Sequence, residues 1–357
     1  MRYLTTDLIG EEVLTGRTGA LGLIALNRPR VINSLSREMI HQIEAALDRF
    51  EGDSSIAAVL VTGEGDRGFC AGGDIRMLYE SGRAGSADAP EFLREEYRLN
   101  GRIGRYAKPY VVIMDGITMG GGVGLSGHAS HRIATDTTKL AMPETGIGFF
   151  PDVGATWLLS HAPGELGTYI GLTGEPIGPA DAIAAGFADC FVPAASLPAL
   201  AERLAALPPT ADAGTVSDLI AQFTGDAPAG HFAENRTLID RCFSFDTVEQ
   251  ILAALDAEDS EFAAKTKATM LTKSPTSLKV TLALLRAGRT SPDLETCLSR
   301  EFAATAQTLK TPDFYEGIRA AIIDKDRSPQ WSPATLADVG PDIVEAFLKP
   351  HPRPLFG

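Results

Sequence analysis

Apolar residues come in short unbroken runs through the first half of the chain and at helical spacing through the second. Leu21 to Leu26 (LGLIAL) is an apolar run ended by Asn27-Arg28-Pro29, as a buried strand would be. Ser34-Leu35-Ser36 then supplies capping hydroxyls for a helix whose apolar positions are Met39, Ile40, Ile43, Ala46, Leu47 and Phe50. Ile56 to Thr62 (IAAVLVT) and Tyr110 to Met114 (YVVIM) read as further buried strands, and Arg132 to Ala134 with Lys139 to Met142 as more. Short apolar strands separated by helices predict an α/β domain with a largely parallel sheet.

The texture changes after about residue 195. Leu197 to Leu207 has helical period and Pro208-Pro209 ends it. Small, polar, Gly/Pro-rich segments at Thr210–Gly214 and Thr224–Gly230 predict loops around a short helix. From Glu234 to Asp324 nearly everything reads as helix, including Thr247–Leu255, Glu261–Met270, Ser277–Leu285, Leu294–Leu309 and Tyr315–Ile323. Caps such as Ser274-Pro275-Thr276 and Ser291-Pro292 punctuate them. The expected organisation is therefore an α/β core over residues 1–195 and a helical C-terminal domain over 196–357.

Composition narrows the classes. The chain has 357 residues, with 46 Asp+Glu against 32 Lys+Arg and a formal net charge of −14. That balance argues against a nucleic-acid or anionic-membrane binder, both of which attract basic patches. Cys70, Cys190, Cys242 and Cys297 are scattered without a CxxC pair, so neither a zinc site nor a disulfide scaffold is expected. The first residues lack an apolar stretch and carry Asp and Glu, and no apolar run approaches the roughly 20 residues that span a bilayer. A soluble, cytoplasmic protein is the expectation.

Two glycine-rich segments could carry chemistry. Gly68-Phe69-Cys70-Ala71-Gly72-Gly73-Asp74 follows one strand and precedes a short helix, Ile75 to Glu80. Gly120-Gly121-Gly122-Val123-Gly124-Leu125 follows the next strand and enters another. Glycines let backbone N–H groups approach a ligand, and two such loops could aim two donors at one oxygen, as an oxyanion hole does. Gly122 to Gly127 also matches GxGxxG, but several residues separate it from its strand, unlike a dinucleotide fold. His128 and His131 have a spacing open to metal binding with no third ligand nearby, and no GxSxG elbow occurs.

The acidic residues say more. Ala141 to Gly154 (AMPETGIGFFPDVG) sets Glu144 and Asp152 in an apolar, Gly/Pro-shaped segment. Apolar surroundings raise a carboxyl pKa and suit it to acid–base or nucleophilic work. The plainer alternative is that Glu144 caps a turn and Asp152 caps a helix beginning near Val153. Glu95-Glu96 would ordinarily be a solvated helix face.

Together these segments resemble the enoyl-CoA hydratase/isomerase (crotonase) superfamily. The resemblance rests on Asn27-Arg28-Pro29 with Asn33, then FCAGGD, GGGVGL and MPETGIGFFPDVG, in that order. REEYRLN, KPYVVIMDGITMGGGVGLS, KSPTSLKVT and EGIRAAIIDKDRSPQW narrow it to the branch that hydrolyses 3-hydroxyisobutyryl-CoA, over about residues 20–335. The resemblance implies a crotonase-like (ββα spiral) core. It also implies oxyanion donors at Gly73 and Gly121, and substrate-binding and catalytic positions at Glu96, Gly121, Glu144 and Asp152. Coenzyme A is expected along Arg28–Arg30 and Gly68–Ala71, engaging Arg28, Arg30 and Ala71, as part of the substrate, with no separate cofactor and no metal. The implied physiological role is in valine breakdown.

One departure separates the branches. Hydratases of the superfamily carry a second glutamate where this chain has Gly124, which cannot move a proton, while Glu144 is kept. Hydrolysis needs only one carboxylate beside the hole, so the expectation is a thioester hydrolase. A hydratase or isomerase of the same fold, or a non-catalytic acyl-CoA-binding subunit, is the alternative. Glu144 would act as nucleophile or as general base on water, with Asp152 and Glu96 assisting. Since coenzyme A is itself a polyanion, local cations such as Arg28, Arg30, Arg67, Arg76, Lys325 and Arg327 must outweigh the average field. Many members of the superfamily form trimers or hexamers, so a homo-oligomer is one expectation, and the helical C-terminal part could instead cover that surface within one chain.

Overall fold

The computed structural model describes residues 3, 4 and 6–356. Its strands are β1 (Val13–Thr18), β2 (Leu21–Leu26), β3 (Ala58–Gly63), β4 (Gly68–Cys70), β5 (Tyr110–Met114), β6 (Ile117–Met119), β7 (His131–Ala134), β8 (Lys139–Ala141) and β9 (Cys190–Phe191). The larger sheet runs β1-β2-β3-β5-β7-β9 and the smaller β4-β6-β8. Only the β1–β2 pairing of the larger sheet is antiparallel; the pairings that follow it are parallel. β2, β3 and β5 are buried at every position, so they read as unbroken apolar runs and not as alternating ones. The helix Arg37–Gly52 opens as predicted, with Ser36 Oγ accepting the Met39 N–H at 3.1 Å.

The chain divides into two compact units, and not at residue 195 as expected. One holds the residues up to Gly73, Leu99–Leu140 and Ile177–Gly230; the other holds Asp74–Arg98, Ala141–Pro176 and everything from His231. The reason for the first departure is packing. Leu197, Leu200, Ala201 and Leu204 join Leu21, Leu23, Leu60, Val111 and Ile133 in one core, so the helix after β9 belongs to the sheet. The separate helices predicted from Glu234 onward are present in the second unit, among them Pro275–Gly288 and Leu294–Thr308.

Asn33 organises the first unit's loops. It is fully buried with φ of 53°, and its Nδ2 donates to Glu64 O at 3.0 Å and Phe69 O at 3.0 Å, while its Oδ1 accepts the Arg28 N–H at 2.9 Å. These bonds join the segment after β2 to both ends of the loop before β4. Removing the amide strands buried backbone groups, so Asn33→Ala is expected to lower unfolding free energy by about 2–4 kcal/mol. Urea denaturation measures it, and a loss under 0.5 kcal/mol would contradict this account.

Candidate active site

In the first unit, two glycine segments leave the same end of neighbouring parallel strands. β4 pairs with β6 in parallel, Gly68 opposite Ile117 and Cys70 opposite Thr118. The three-residue strands lie inside segments that the sequence presented as loops. After them, Ala71-Gly72-Gly73 and Gly120-Gly121 lie side by side. A Cβ on Gly72 would sit 3.6 Å from Gly121 N, and one on Gly122 would sit 2.4 Å from Cys70 O. Leu35 N donates to Gly72 O at 2.8 Å, fixing the plane of the Gly72–Gly73 peptide. Gly121 opens the helix Gly121–Ser126; Val123 and Gly124 donate to Gly120 O, and the Gly121 N–H precedes the first of these bonds. The unit thus brings together the backbone of both expected donor positions.

The expected phosphate cations have mixed situations. Arg28 is engaged locally, donating to Ser34 O at 2.7 Å and pairing with Glu12 at 3.4 Å. Arg67 donates to Pro29 O at 2.6 Å and Arg30 O at 2.7 Å, so both guanidinium groups shape the loop. Arg30 and Ala71 are exposed on it, as Arg76, Lys325 and Arg327 are in the second unit. His131 is taken up by Ser217 Oγ at 3.0 Å, and the helix expected to carry it with His128 stops at Ser126, so the two do not share a helical face.

In the second unit the three expected carboxyls form one field. Glu96 lies on the helix Asp88–Gly104, of which Asp88–Arg98 belongs here, and is only 2% exposed, so it is not on a solvated face. Glu144 opens the 3-10 turn Glu144–Ile147 and Asp152 follows it, each 6% exposed. Glu96 Oε1 and Glu144 Oε2 are buried without a hydrogen-bond partner among the described residues. Burial, then the neighbouring Asp152, holds both glutamates well above the ordinary carboxylate range, and Glu96 adds to the effect on Glu144. Burial pushes Asp152 up to about 7, against the pull of the Tyr97 hydroxyl, which donates to Oδ2 at 2.5 Å.

The local backbone explains how apolar sequence holds these groups. Gly148, at φ of 72°, ends the turn where a Cβ would meet Asp313 O at 2.1 Å, and Ser274 N donates to Thr145 O at 3.1 Å. Val153 and Gly154 take φ of 56° and 80°, turning the chain from Asp152 into the helix Ala155–His161. That helix is not capped by the Asp152 side chain. Its first N–H groups go instead to Glu301: Oε2 accepts from Gly154 N at 2.7 Å, and Oε1 from Thr156 N at 2.9 Å. Phe149 and Phe150 stack at 4.7 Å and are core residues.

Sequence reasoning missed Tyr97, Glu301 and Thr305. The only signal was a lone glutamate before the small, apolar stretch Phe302-Ala303-Ala304, and a tyrosine beside Glu96.

Burial of these acids has a pH consequence. Asp152, near 3.8 when unfolded, titrates at about 7 in the fold, and Glu301, near 4.5 when unfolded, at about 8. The folded chain therefore keeps protons that the unfolded chain has released, and stability falls as pH rises from about 4 to 8. The Asp152 share is up to about 4 kcal/mol. Asp152→Asn is expected to flatten the fall in melting temperature between pH 5 and 8; an unchanged slope would show that Asp152 is not the titrating group.

The first unit carries parallel strands with paired glycine loops, and the second carries a cluster of buried acids. The chain belongs to the enoyl-CoA hydratase/isomerase family, whose profile matches residues 21–348. Its crotonase-like core with a helical C-terminal part agrees with solved structures. It is 46% identical to a carnitinyl-CoA dehydratase from Mycobacterium thermoresistibile, covering 97% of this chain and 98% of that one, with a TM-score of 0.91. It is 42% identical to an enoyl-CoA hydratase from Rhodobacter sphaeroides 2.4.1, covering 97% and 100%, with a TM-score of 0.89.

Among curated relatives, the mitochondrial 3-hydroxyisobutyryl-CoA hydrolase of Rattus norvegicus is 42% identical over 95% of this chain and 89% of that protein. The Homo sapiens protein of the same name is 42% identical over the same shares. The expected branch of the family is therefore upheld. The expected cytoplasmic location is not: these relatives are named as mitochondrial. Scattered free thiols are compatible with either place, which is why they misled. Among the described residues no helix is long and apolar enough to cross a membrane.

Proposed function

We propose that this chain hydrolyses the thioester of a short 3-hydroxyacyl-CoA, with 3-hydroxyisobutyryl-CoA as the reference substrate. The observation that carries the reading is Glu144, a buried carboxyl with an unpartnered oxygen in a field of two other acids. The N–H groups of Gly73 and Gly121 receive the carbonyl oxygen and its developing charge. Glu144 attacks the carbonyl carbon to form an anhydride, or takes a proton from the attacking water. Asp152 and Glu96 serve the substrate hydroxyl, the water and the leaving thiolate. Coenzyme A leaves as product, and the reaction uses no further cofactor or metal. Arg28 and Arg30, after β2, and Ala71, after β4, lie on the segments offered to the coenzyme A portion.

Gly124 supports hydrolysis over hydration, because the second proton-moving glutamate of a hydratase has no counterpart there. The names of the solved relatives point the other way, so the assay must compare both reactions. Thiol release from 3-hydroxyisobutyryl-CoA and other short 3-hydroxyacyl-CoAs is followed with a disulfide reagent, beside loss of enoyl-thioester absorbance from crotonyl-CoA. Rapid thiol release with slow hydration is expected. Faster hydration would replace this reading with the hydratase one, and tight acyl-CoA binding with neither would make the protein a binding subunit.

A further inference from the structure

Asp152 ends a line of three buried oxygens. Tyr97 Oη lies 2.5 Å from Asp152 Oδ2 and 2.9 Å from Thr305 Oγ1, which lies 2.9 Å from the carbonyl oxygen of Glu301. Tyr97 is fully buried and Thr305 is 2% exposed. Each hydroxyl has one proton to give and can also accept one. Two complete arrangements follow. With Asp152 ionised, Thr305 donates to Tyr97 and Tyr97 donates to the carboxylate. With Asp152 protonated on Oδ2, the carboxyl donates to Tyr97, Tyr97 to Thr305, and Thr305 to the Glu301 carbonyl. No donor in the line is stranded in either arrangement, and rotation about the C–O bonds interconverts them.

The other ionisable groups acting in this field are Glu96 from the helix Asp88–Gly104, Glu144 from its 3-10 turn and Glu301 from the helix Leu294–Thr308. All three are acids. The hydroxyl line therefore sets how readily Asp152 exchanges a proton. Glu301 contributes a second restraint, since its carboxylate holds Gly154 and Thr156 while Thr305, one turn on, reaches Tyr97.

We propose that Tyr97 and Thr305 are positioning residues that keep Asp152 hydrogen-bonded in both protonation states. Asp152 then gives a proton to the departing thiolate and regains one from water. Its chemical role rests on the hydrolase reading. With Glu144 as the nucleophile, the C–S bond breaks as the anhydride forms, the proton held on Asp152 passes to the sulfur and the line turns over. As water then cleaves the anhydride and frees Glu144, one water proton passes to Asp152 and the line returns. The second water proton stays with the acid product, so atoms and charge balance.

The two hydroxyls are distinguishable because they favour opposite states. Tyr97→Phe removes the donor to the carboxylate, so the Asp152 midpoint is expected to rise by about one unit. Thr305→Val leaves that donor but removes the acceptor that the protonated arrangement needs, so the midpoint is expected to fall. Thr305→Ser, which keeps the hydroxyl, is expected to restore it. Two readouts apply to the folded full chain: infrared titration of the carboxyl band, assigned with Asp152→Asn, and the pH profile of kcat/KM for thiol release. Shifts of the same sign, or none, in the infrared titration overturn the proposal. Opposite shifts in a protein that hydrolyses no acyl-CoA keep the line and overturn the hydrolase reading.

Discussion

Replacing Glu144 by Gln is expected to lower kcat for thiol release by about 10³-fold or more while leaving the fold intact. The substitution changes volume little, so the 3-10 turn and its bonds to Ser274 and Phe149 remain. What it removes is a carboxyl that burial and Asp152 hold well above the ordinary range. Ionising such a group costs the fold free energy, so above neutral pH the variant should melt no lower than the parent. Loss of turnover without loss of stability is the signature of a group kept for chemistry, because a purely structural acid would show the reverse. Near-normal thiol release would remove Glu144 from the mechanism. Acyl-CoA affinity, measured in parallel by calorimetry, should change by less than about tenfold if the group acts mainly in the transition state.

Much of the proposed site was legible because its parts are local in sequence. LGLIAL, IAAVLVT and YVVIM announce buried strands, and the clustered glycines and the segment around Glu144 and Asp152 offer candidate chemistry in short windows. Three things were not legible. β4 and β6 are three residues each and sit within glycine-rich stretches, where propensity argues for loop and pairing in the sheet β4-β6-β8 makes them strands. The helix expected at Tyr315–Ile323 is α-helical over Pro312–Ile318 and then widens to a π turn at Arg319–Ile323, where Arg319 is gripped by Glu316, Asp324 and Asp326. Burial of Glu96, Glu301 and Tyr97 is the third, since periodicity gives the apolar stripe of a helix and not the polar residues that tertiary packing draws into it. The division near residue 195 failed for the same reason: which helices share a core is decided by contacts far apart in sequence.

Gly122→Ala tests the other half of the chemistry. A Cβ there would lie 2.4 Å from Cys70 O and 3.0 Å from Cys70 Cβ, and the first of these is backbone that cannot rotate away. Either the strand end at Cys70 or the first turn of Gly121–Ser126 must move. Gly73 follows Cys70 by three residues and Gly121 immediately precedes the substituted position, so any such shift changes the spacing of the two proposed N–H donors. An oxyanion hole tolerates little of this, since loss of one donor typically costs about 10²–10³ in turnover. The expected result is a fall in kcat of that order, with KM for the acyl-CoA changed by less than about threefold, because the positions proposed to hold coenzyme A are untouched. Gly52→Ala is the matching control in the same unit: nothing lies within 4 Å of its Cβ and its φ is not positive, so activity should hold. Turnover in Gly122→Ala equal to that of the control would mean that the apposed loops pack strands together and polarise nothing. Equal losses in kcat and in stability would point the same way, whereas a fall in kcat out of proportion to any loss of stability is what a displaced donor produces.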